Sequence, residues 1–572
     1  MNRLIATVSV LFAAFGASCG TAEQGVGPEE GTSNITFADR TVESGIDFKH
    51  IGGRSESKWM PEVLGGGVAI ADFDIDGDPD ILLVNSGNLN SQERPSEASN
   101  RLYINDGKGK FTDRTADWRL PGVGYGQGAA VGDFDGDGAT DVFLTDYFGN
   151  NRLLRNTGSA FEDVTEKAGI QGDGKWATSA GFADLDNDGD LDIFVVKYVS
   201  YSQSTHVATY KNGLQTYSAP YLYEAVGDQI WENVGDGKFA DASEKAGITG
   251  EPEKGLALAI GDIDLDGDQD VYVANDSTPN QLWINDGKGV FEDRAKLGGA
   301  AYSEIGREEG SMGADFGDLD SNGLPDIVVT NFQEESTALY TQEEPMFFRE
   351  VSDAVGIGAT ARQRLKFGMD LFDADNDGDD DLLVANGHIE DNIEKNSDSI
   401  TFAQPNSLYE NLGNGKFKDI SESAGDALKD VQVSRGLATA DLDGDGDLDY
   451  VIVNNGGTAQ IAFNETGKKG NFAFFFLRGN GKNTNAIGAR LVAKIGDRTI
   501  ERQVMGAQSY LSVSDFRVHF GLGDASKIDG LTIHWPGGEK QTLRDVAGNK
   551  FYYIKQGGEP REFVPGTMDI EQ

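Results

Sequence analysis

The chain has 572 residues and carries 95 Asp and Glu against 48 Lys and Arg, for a formal net charge of −47. A length of that order buries a large core and holds more than one domain. A charge of that sign, with no basic patch in the sequence, excludes nucleic acid and anionic lipid as partners, because phosphate binding needs clustered cations.

At the N-terminus, a charged start, an apolar run over 4–15 and the small residues Gly16-Ala-Ser-Cys19-Gly20 form an export signal too short to span a bilayer. Cys19 is the only cysteine and ends the small-residue stretch, as in the lipobox of bacterial lipoproteins, although Gly16 stands where Leu is usual. Residues 1–19 are therefore expected to be a lipoprotein-type signal peptide, with a lipid on Cys19 as the only membrane link. Residues 20–31, rich in Gly, Glu, Thr and Ser, predict a flexible tether. With no other cysteine, the exported chain has no internal disulfide.

Beyond the tether, the pattern Asp-x-Asp-x-Asp/Asn-Gly-x-x-Asp occurs seven times. Its first, third, fifth and ninth residues are Asp72, Asp74, Asp76 and Asp80; Asp133, Asp135, Asp137 and Asp141; Asp184, Asp186, Asp188 and Asp192; Asp262, Asp264, Asp266 and Asp270; Asp318, Asp320, Asn322 and Asp326; Asp373, Asp375, Asp377 and Asp381; and Asp441, Asp443, Asp445 and Asp449. Alternate carboxylates, a glycine for the sharp turn and a fourth carboxylate make a shell of hard oxygens that suits calcium. Magnesium prefers a tighter octahedron with retained waters, and zinc prefers His and Cys. About seven calcium ions are expected, bringing the formal charge to about −33. The fifth loop, with Asn322 for Asp, is expected to bind most weakly.

An EF-hand needs a bidentate Glu at position twelve, and here that position holds Leu83, Leu144, Val195, Val273, Val329, Val384 and Ile452. Each loop instead runs into a strand such as Asp80-Ile-Leu-Leu-Val-Asn85, and a small-residue strand such as 67–71 precedes it. Segments 102–113, 282–293 and 408–419 read as further hairpins around Asn/Asp-Gly turns, with weaker copies near Leu154, Ile230 and Leu339. Seven four-stranded units predict a seven-bladed β-propeller over 32–466. After the seventh loop only a third strand, 461–464, remains. Phe37-Ala-Asp-Arg-Thr41, which mirrors Phe161-Glu-Asp-Val-Thr165, supplies the missing fourth, so the ring is expected to close on itself. Alternating segments such as 472–477 and 550–555 then predict a compact all-β domain over 470–557, and the acidic residues 558–572 read as a disordered tail.

The loops with their flanking strands resemble FG-GAP or VCBS repeats, the calcium-binding blades also found in integrin α-subunit heads. Downstream, Gly488-Ala-Arg490, Tyr510-Leu-Ser512, 518–523 and Ile533-His-Trp-Pro-Gly-Gly538 resemble the ASPIC/UnbV domain. With 59–67 and 386–391, the whole is similar to bacterial relatives of cartilage acidic protein. The resemblance implies an exported calcium-binding propeller used for adhesion or recognition. Relatives often carry cysteines in the insert 198–228, which this chain lacks, so no thiol role is expected there.

Two functions follow. The first is a monomeric, calcium-stabilised module at the outer membrane or cell surface that recognises an extracellular protein or glycan through one propeller face and the 198–228 insert. The alternative is an exported hydrolase or lyase with its active site in the central funnel. The sequence holds no zinc-peptidase motif and no phosphate loop, and the Gly-x-Ser-x-Gly at 16–20 would not survive processing. No catalytic residue is assigned. A cluster of His, Asp or Arg converging on the ring axis would favour the enzyme. His388, just past a blade strand and flanked by acidic residues, is the candidate ligand-contacting residue.

Overall fold

The computed structural model describes residues 34–89, 99–122, 124–413, 415–467 and 469–567. The expected signal peptide, Cys19, the tether and the last five residues lie outside them.

Seven four-stranded antiparallel sheets form the propeller blades. Blade one consists of Val68–Ala71, Asp80–Leu83, Arg101–Asn105 and Phe111–Asp113, and every Asp loop joins the first strand of a blade to the second. The innermost strands of blades two to six are Gly126–Gly132, Ala177–Ala183, Gly255–Gly261, Ser311–Gly317 and Lys366–Phe372. Blade seven has Ser434–Ala440, Asp449–Asn454 and Gln460–Asn464, and its fourth strand is Phe37–Asp39, with Phe37 opposite Asn464. Consecutive innermost strands pack side by side, and the seventh packs back on the first. The ring is closed, as the N-terminal repeat of the blade pattern predicts. Closure covers the outer edge of Gln460–Asn464 and leaves the seventh blade, like the others, only a short strand at its rim.

The C-terminal region holds two further four-stranded sheets. One orders Val518–Gly523, Asn471–Arg478, Lys550–Lys555 and Arg561–Phe563, and the other Arg498–Gln503, Arg490–Ile495, Lys527–His534 and Lys540–Ala547. Phe475 stacks on Tyr552 at 5.5 Å within one hydrophobic core that also takes in Phe143, Phe182 and Leu191 of blades two and three. Propeller and C-terminal sheets therefore share a core.

The expected disordered tail is corrected over 558–567. Arg561–Phe563 pairs with the Lys550–Lys555 strand after a turn at Gly557, Lys550 bonds Glu562 at 2.7 Å, and Pro565 is buried against Gly444 of the seventh loop. Acidic composition suggested solvation, but a cationic neighbouring strand offsets it.

Candidate metal centres and the filled propeller axis

The seven loops share one backbone design. The glycine at position six has a left-handed φ, from 86° at Gly323 to 104° at Gly267, which a side chain rarely tolerates. That turn aims its N–H at the first carboxylate, as from Gly77 to Asp72 Oδ2 at 3.0 Å and from Gly323 to Asp318 Oδ2 at 3.0 Å. The ninth carboxylate is pinned at both oxygens. Asp80 Oδ2 accepts the Phe73 N–H at 2.9 Å and its Oδ1 the Asn105 N–H at 2.8 Å, and the same pair of bonds recurs at Asp141, Asp192, Asp270, Asp326, Asp381 and Asp449.

In each of the first five loops the carboxylates at positions one, three and nine bring oxygens within 4.8 Å of one another, a grouping that could hold a metal ion. The buried Oδ1 atoms of Asp74, Asp262 and Asp443 have no hydrogen-bond partner, as expected of oxygens reserved for a cation. Burial, then neighbouring carboxylates, pushes Asp72 up to about 7 and, with backbone hydrogen bonds opposing, Asp192 and Asp326 up to about 8. The all-oxygen donor set fits a hard divalent ion, and calcium accommodates the loose geometry. In the fifth loop Asn322 Oδ1 accepts the Leu324 N–H at 2.8 Å, as Asp does elsewhere, but its Nδ2 donates to Gln342 O at 3.0 Å, so a donor stands where the other loops offer a second oxygen. In the second loop Arg155 already pairs with Asp135 and Asp137, at 2.5 and 2.6 Å.

Sequence reasoning missed the residues that tie loop to loop. Asn105, Asn156, Asn233, Asn285, Gln342, Asn411 and Asn464 lie at or near the end of the third strand of each blade, and each side-chain amide donates to the carbonyl of the second loop residue in the preceding blade. Asn105 bonds Leu442 O at 2.8 Å and so links blade one to blade seven. In six of the seven blades the signal was a recurring Asn before a Gly turn, which reads locally as turn chemistry; the fifth uses Gln342.

The second unforeseen feature fills the axis. Segment 505–517 of the C-terminal domain threads into the ring and bonds the innermost strand of every blade. Val68 and Ile70 of blade one pair with Val513, Ala129 of blade two donates to Leu511 O, and Ser179 of blade three accepts the Leu511 N–H. Ile260 of blade four pairs with Gly506 and Ala507, and Ala314 of blade five with Ser509. Met369 of blade six and Thr439 of blade seven donate their N–H groups to the hydroxyls of Ser509 and Ser514. Tyr510 at the centre is fully buried, its hydroxyl donating to Leu64 O at 2.9 Å and its ring 5.1 Å from Phe367. Gly67 is required here because a Cβ would lie 2.1 Å from Leu511 O.

The same domain grips the Asp loops. Thr484 donates to Asp133, Lys482 pairs with Asp190, and Gln503 and Asp262 exchange backbone-to-amide bonds at 2.9 Å. Arg498 and Arg502 pair with Asp379 and Asp380 of the sixth loop, at 2.8 and 2.6 Å. Beside the threaded segment, a cavity of about 150 Å³ remains between blades five to seven and the domain, lined among others by Asp315, Asp370, Arg502, Arg517 and His519. Asp315, buried and near enough to Asp370 for that carboxylate's charge to help raise its pKa, accepts the Leu371 N–H at 3.0 Å, and Asp370 accepts the hydroxyls of Thr439 at 2.9 Å and Ser514 at 2.5 Å. The central funnel is therefore not an open channel, because its walls bond the threaded segment. Asp, Arg and His side chains near the axis line this remaining cavity.

His388 is also corrected as a ligand contact. It is buried, packs 6.1 Å from Phe332, bonds Gln333 Oε1 at 2.7 Å through Nε2 and accepts the Glu390 N–H at Nδ1. Burial lowers its pKa to about 4. No described helix is long and apolar enough to cross a membrane.

Comparison with known proteins places these features. An FG-GAP-like repeat matches residues 72–144, 133–195, 262–329 and 373–452, and the ASPIC and UnbV family matches 479–561. Cartilage acidic protein 1 of Mus musculus is 26% identical over 518 residues, covering 86% of this chain and 73% of its own. The Homo sapiens protein is 25% identical over 534 residues, covering 88% and 73%. A solved Agrocybe aegerita lectin that recognises non-reducing terminal N-acetylglucosamine covers 62% of this chain and 80% of its own, at 18% identity and a TM-score of 0.37, a likeness too loose to argue from.

Proposed function

We propose, for a chain that belongs to the cartilage acidic protein family with FG-GAP-like repeats and an ASPIC and UnbV domain, that it is an exported, monomeric calcium-binding propeller that recognises an extracellular protein or glycan. A lipid on Cys19 would hold it at the outer membrane or cell surface. One observation carries this reading: the C-terminal domain is hydrogen-bonded at once to the calcium loops and to all seven innermost strands. Ions placed in such loops act as staples of a rigid scaffold, and the filled axis leaves the opposite face, with the 198–228 insert, to meet a ligand. A screen of the calcium-loaded mature chain against surface glycans and proteins tests it. Selective binding supports recognition, and a screen without any binder overturns it. Labelled palmitate incorporated by wild type and lost in Cys19→Ala supports the anchor, and unchanged labelling refutes it.

One observation favours the alternative, an exported hydrolase or lyase. The paired carboxyls Asp315 and Asp370 face a cavity that also presents Arg502 and His519. Pairs of carboxyls in distinct environments serve acid–base chemistry. Turnover of any glycan in that screen, abolished by Asp370→Asn, would replace recognition by catalysis.

A further inference from the structure

On the propeller face away from the calcium loops, a cleft of about 520 Å³ opens where blades six, seven and one meet, and no Asp or Glu lines it. In a chain with twice as many acidic as basic residues this is a local reversal of charge. Its walls include Lys49, His50, Arg54, Phe402, Gln432 and Asn455. Arg54 is partly buried, with its guanidinium 4.4 Å over the Phe402 ring and Nη2 donating to Asn455 Oδ1 at 2.8 Å. Its Nε is buried without a partner, and its Nη1 makes no hydrogen bond among the described residues. The two carboxylates whose charge reaches Arg54 are engaged elsewhere, Glu62 with Ser55 and Tyr217, and Asp391 with Lys58. Lys49 is exposed, and neither it nor Arg54 forms an ion pair among the described residues.

A guanidinium withdrawn from water without a carboxylate is costly unless an anion completes it, and its planar donor edge matches a carboxylate. The rest of the wall suits a sugar. Gly52, Gly53, Gly456 and Gly457 present bare main chain, and Gln432 and Asn455 present amides that pair with hydroxyls. The volume lies in the range of small-ligand sites. We propose that this cleft binds a carboxylated saccharide of the uronic-acid type, with Arg54 on the carboxylate and Lys49 supplying long-range attraction.

The inference rests on the recognition reading and deepens it by naming the face and the ligand chemistry. The test is calorimetric titration of the calcium-loaded mature protein with digalacturonate, with a neutral galactose disaccharide, and with a short polyglutamate peptide. Digalacturonate should bind, more weakly as salt rises; the neutral disaccharide should bind at least tenfold more weakly, and Arg54→Gln should lose tenfold or more. Lys49→Gln, at an exposed position that leaves the fold intact, should lose about twofold to fivefold and reduce the salt dependence. Equal binding of acidic and neutral sugars, stronger binding of polyglutamate, no binding at millimolar digalacturonate, or an affinity unmoved in both variants each overturns the proposal. If those results come while the broad screen still yields a selective ligand, only this site fails; a screen without any binder removes the recognition reading as well.

Discussion

At the scale of single residues, two buried side chains set the sharpest expectations. Asn285 Nδ2 donates to Leu185 O at 2.8 Å and to Gln269 O at 3.1 Å, carbonyls of two different Asp loops. Asn285→Ala strands both acceptors in a dry interface, which costs about 2 to 4 kcal/mol. Chemical denaturation should show that loss with little change in the number of calcium ions bound, since no ligand oxygen is removed. A loss under about 0.5 kcal/mol would mean that water replaces the clamp. His388 makes the opposite kind of prediction, one about pH. Nε2 faces the Gln333 oxygen and Nδ1 accepts from Glu390, so the fold holds the neutral ring and a second proton breaks the Nδ1 bond. With the folded pKa lowered from 6.5 to about 4, the unfolded chain binds more protons in that window, and stability falls as pH drops from 6.5 towards 4. His388→Gln should lack that component, up to about 3 kcal/mol at pH 4. Parallel pH-stability profiles for wild type and variant would contradict the assignment.

At the scale of elements, the closing strand decides whether the ring is a ring. Phe37 is fully buried, 5.1 Å from Tyr450 and 6.1 Å from Phe372, so it joins blade seven to blade six from the far end of the chain. Phe37→Ala should cost about 3 to 5 kcal/mol. Hydrogen exchange should rise first in Gln460–Asn464, the strand that Phe37–Asp39 covers; uniform acceleration across all blades would instead mean that no blade opens alone. This closure was legible in sequence because Phe37-Ala-Asp39 repeats a blade pattern, and the Asp loops were legible because ligand spacing is a local property of nine residues. The Asn clamps were not, since Asn285 answers to Leu185, a hundred positions upstream, while its neighbours explain it equally well as part of a turn. The threaded segment was further out of reach. Tyr510-Leu-Ser512 stood out only through its ASPIC/UnbV resemblance, and only the assembled ring creates the unpaired N–H and C=O groups that draw it in. His388 misled for the same reason: its acidic neighbours are sequential, but the oxygen it bonds belongs to Gln333, on another blade.

For the whole molecule, the Asp loops and the C-terminal domain form one linked system. In the empty fold, burial and neighbouring carboxylates raise Asp72, Asp184, Asp262 and Asp441 to about 7 and Asp192 and Asp326 to about 8. Their unfolded values lie near 3.8, so the ion-free fold holds more protons than the unfolded chain and loses stability as pH rises from about 4 to 8. Calcium reverses the sign, because it takes the place of those protons and binds the ionised form. At about 1 mM free calcium and a site affinity of about 0.1 mM, each ion adds about 1.4 kcal/mol. The gain in melting temperature on adding calcium should therefore grow from pH 6 to pH 8, with protons released on binding at pH 7. Because Thr484, Gln503, Arg498 and Arg502 hold those same loops, chelation should also release the axis. Hydrogen exchange at 505–517 after EGTA treatment reads this directly. Faster exchange there, with the outer strands still protected, is the expected result. Protection of the threaded segment that ignores EGTA would show that the hydrogen bonds of the seven innermost strands suffice, and would uncouple the metal sites from the domain that caps them.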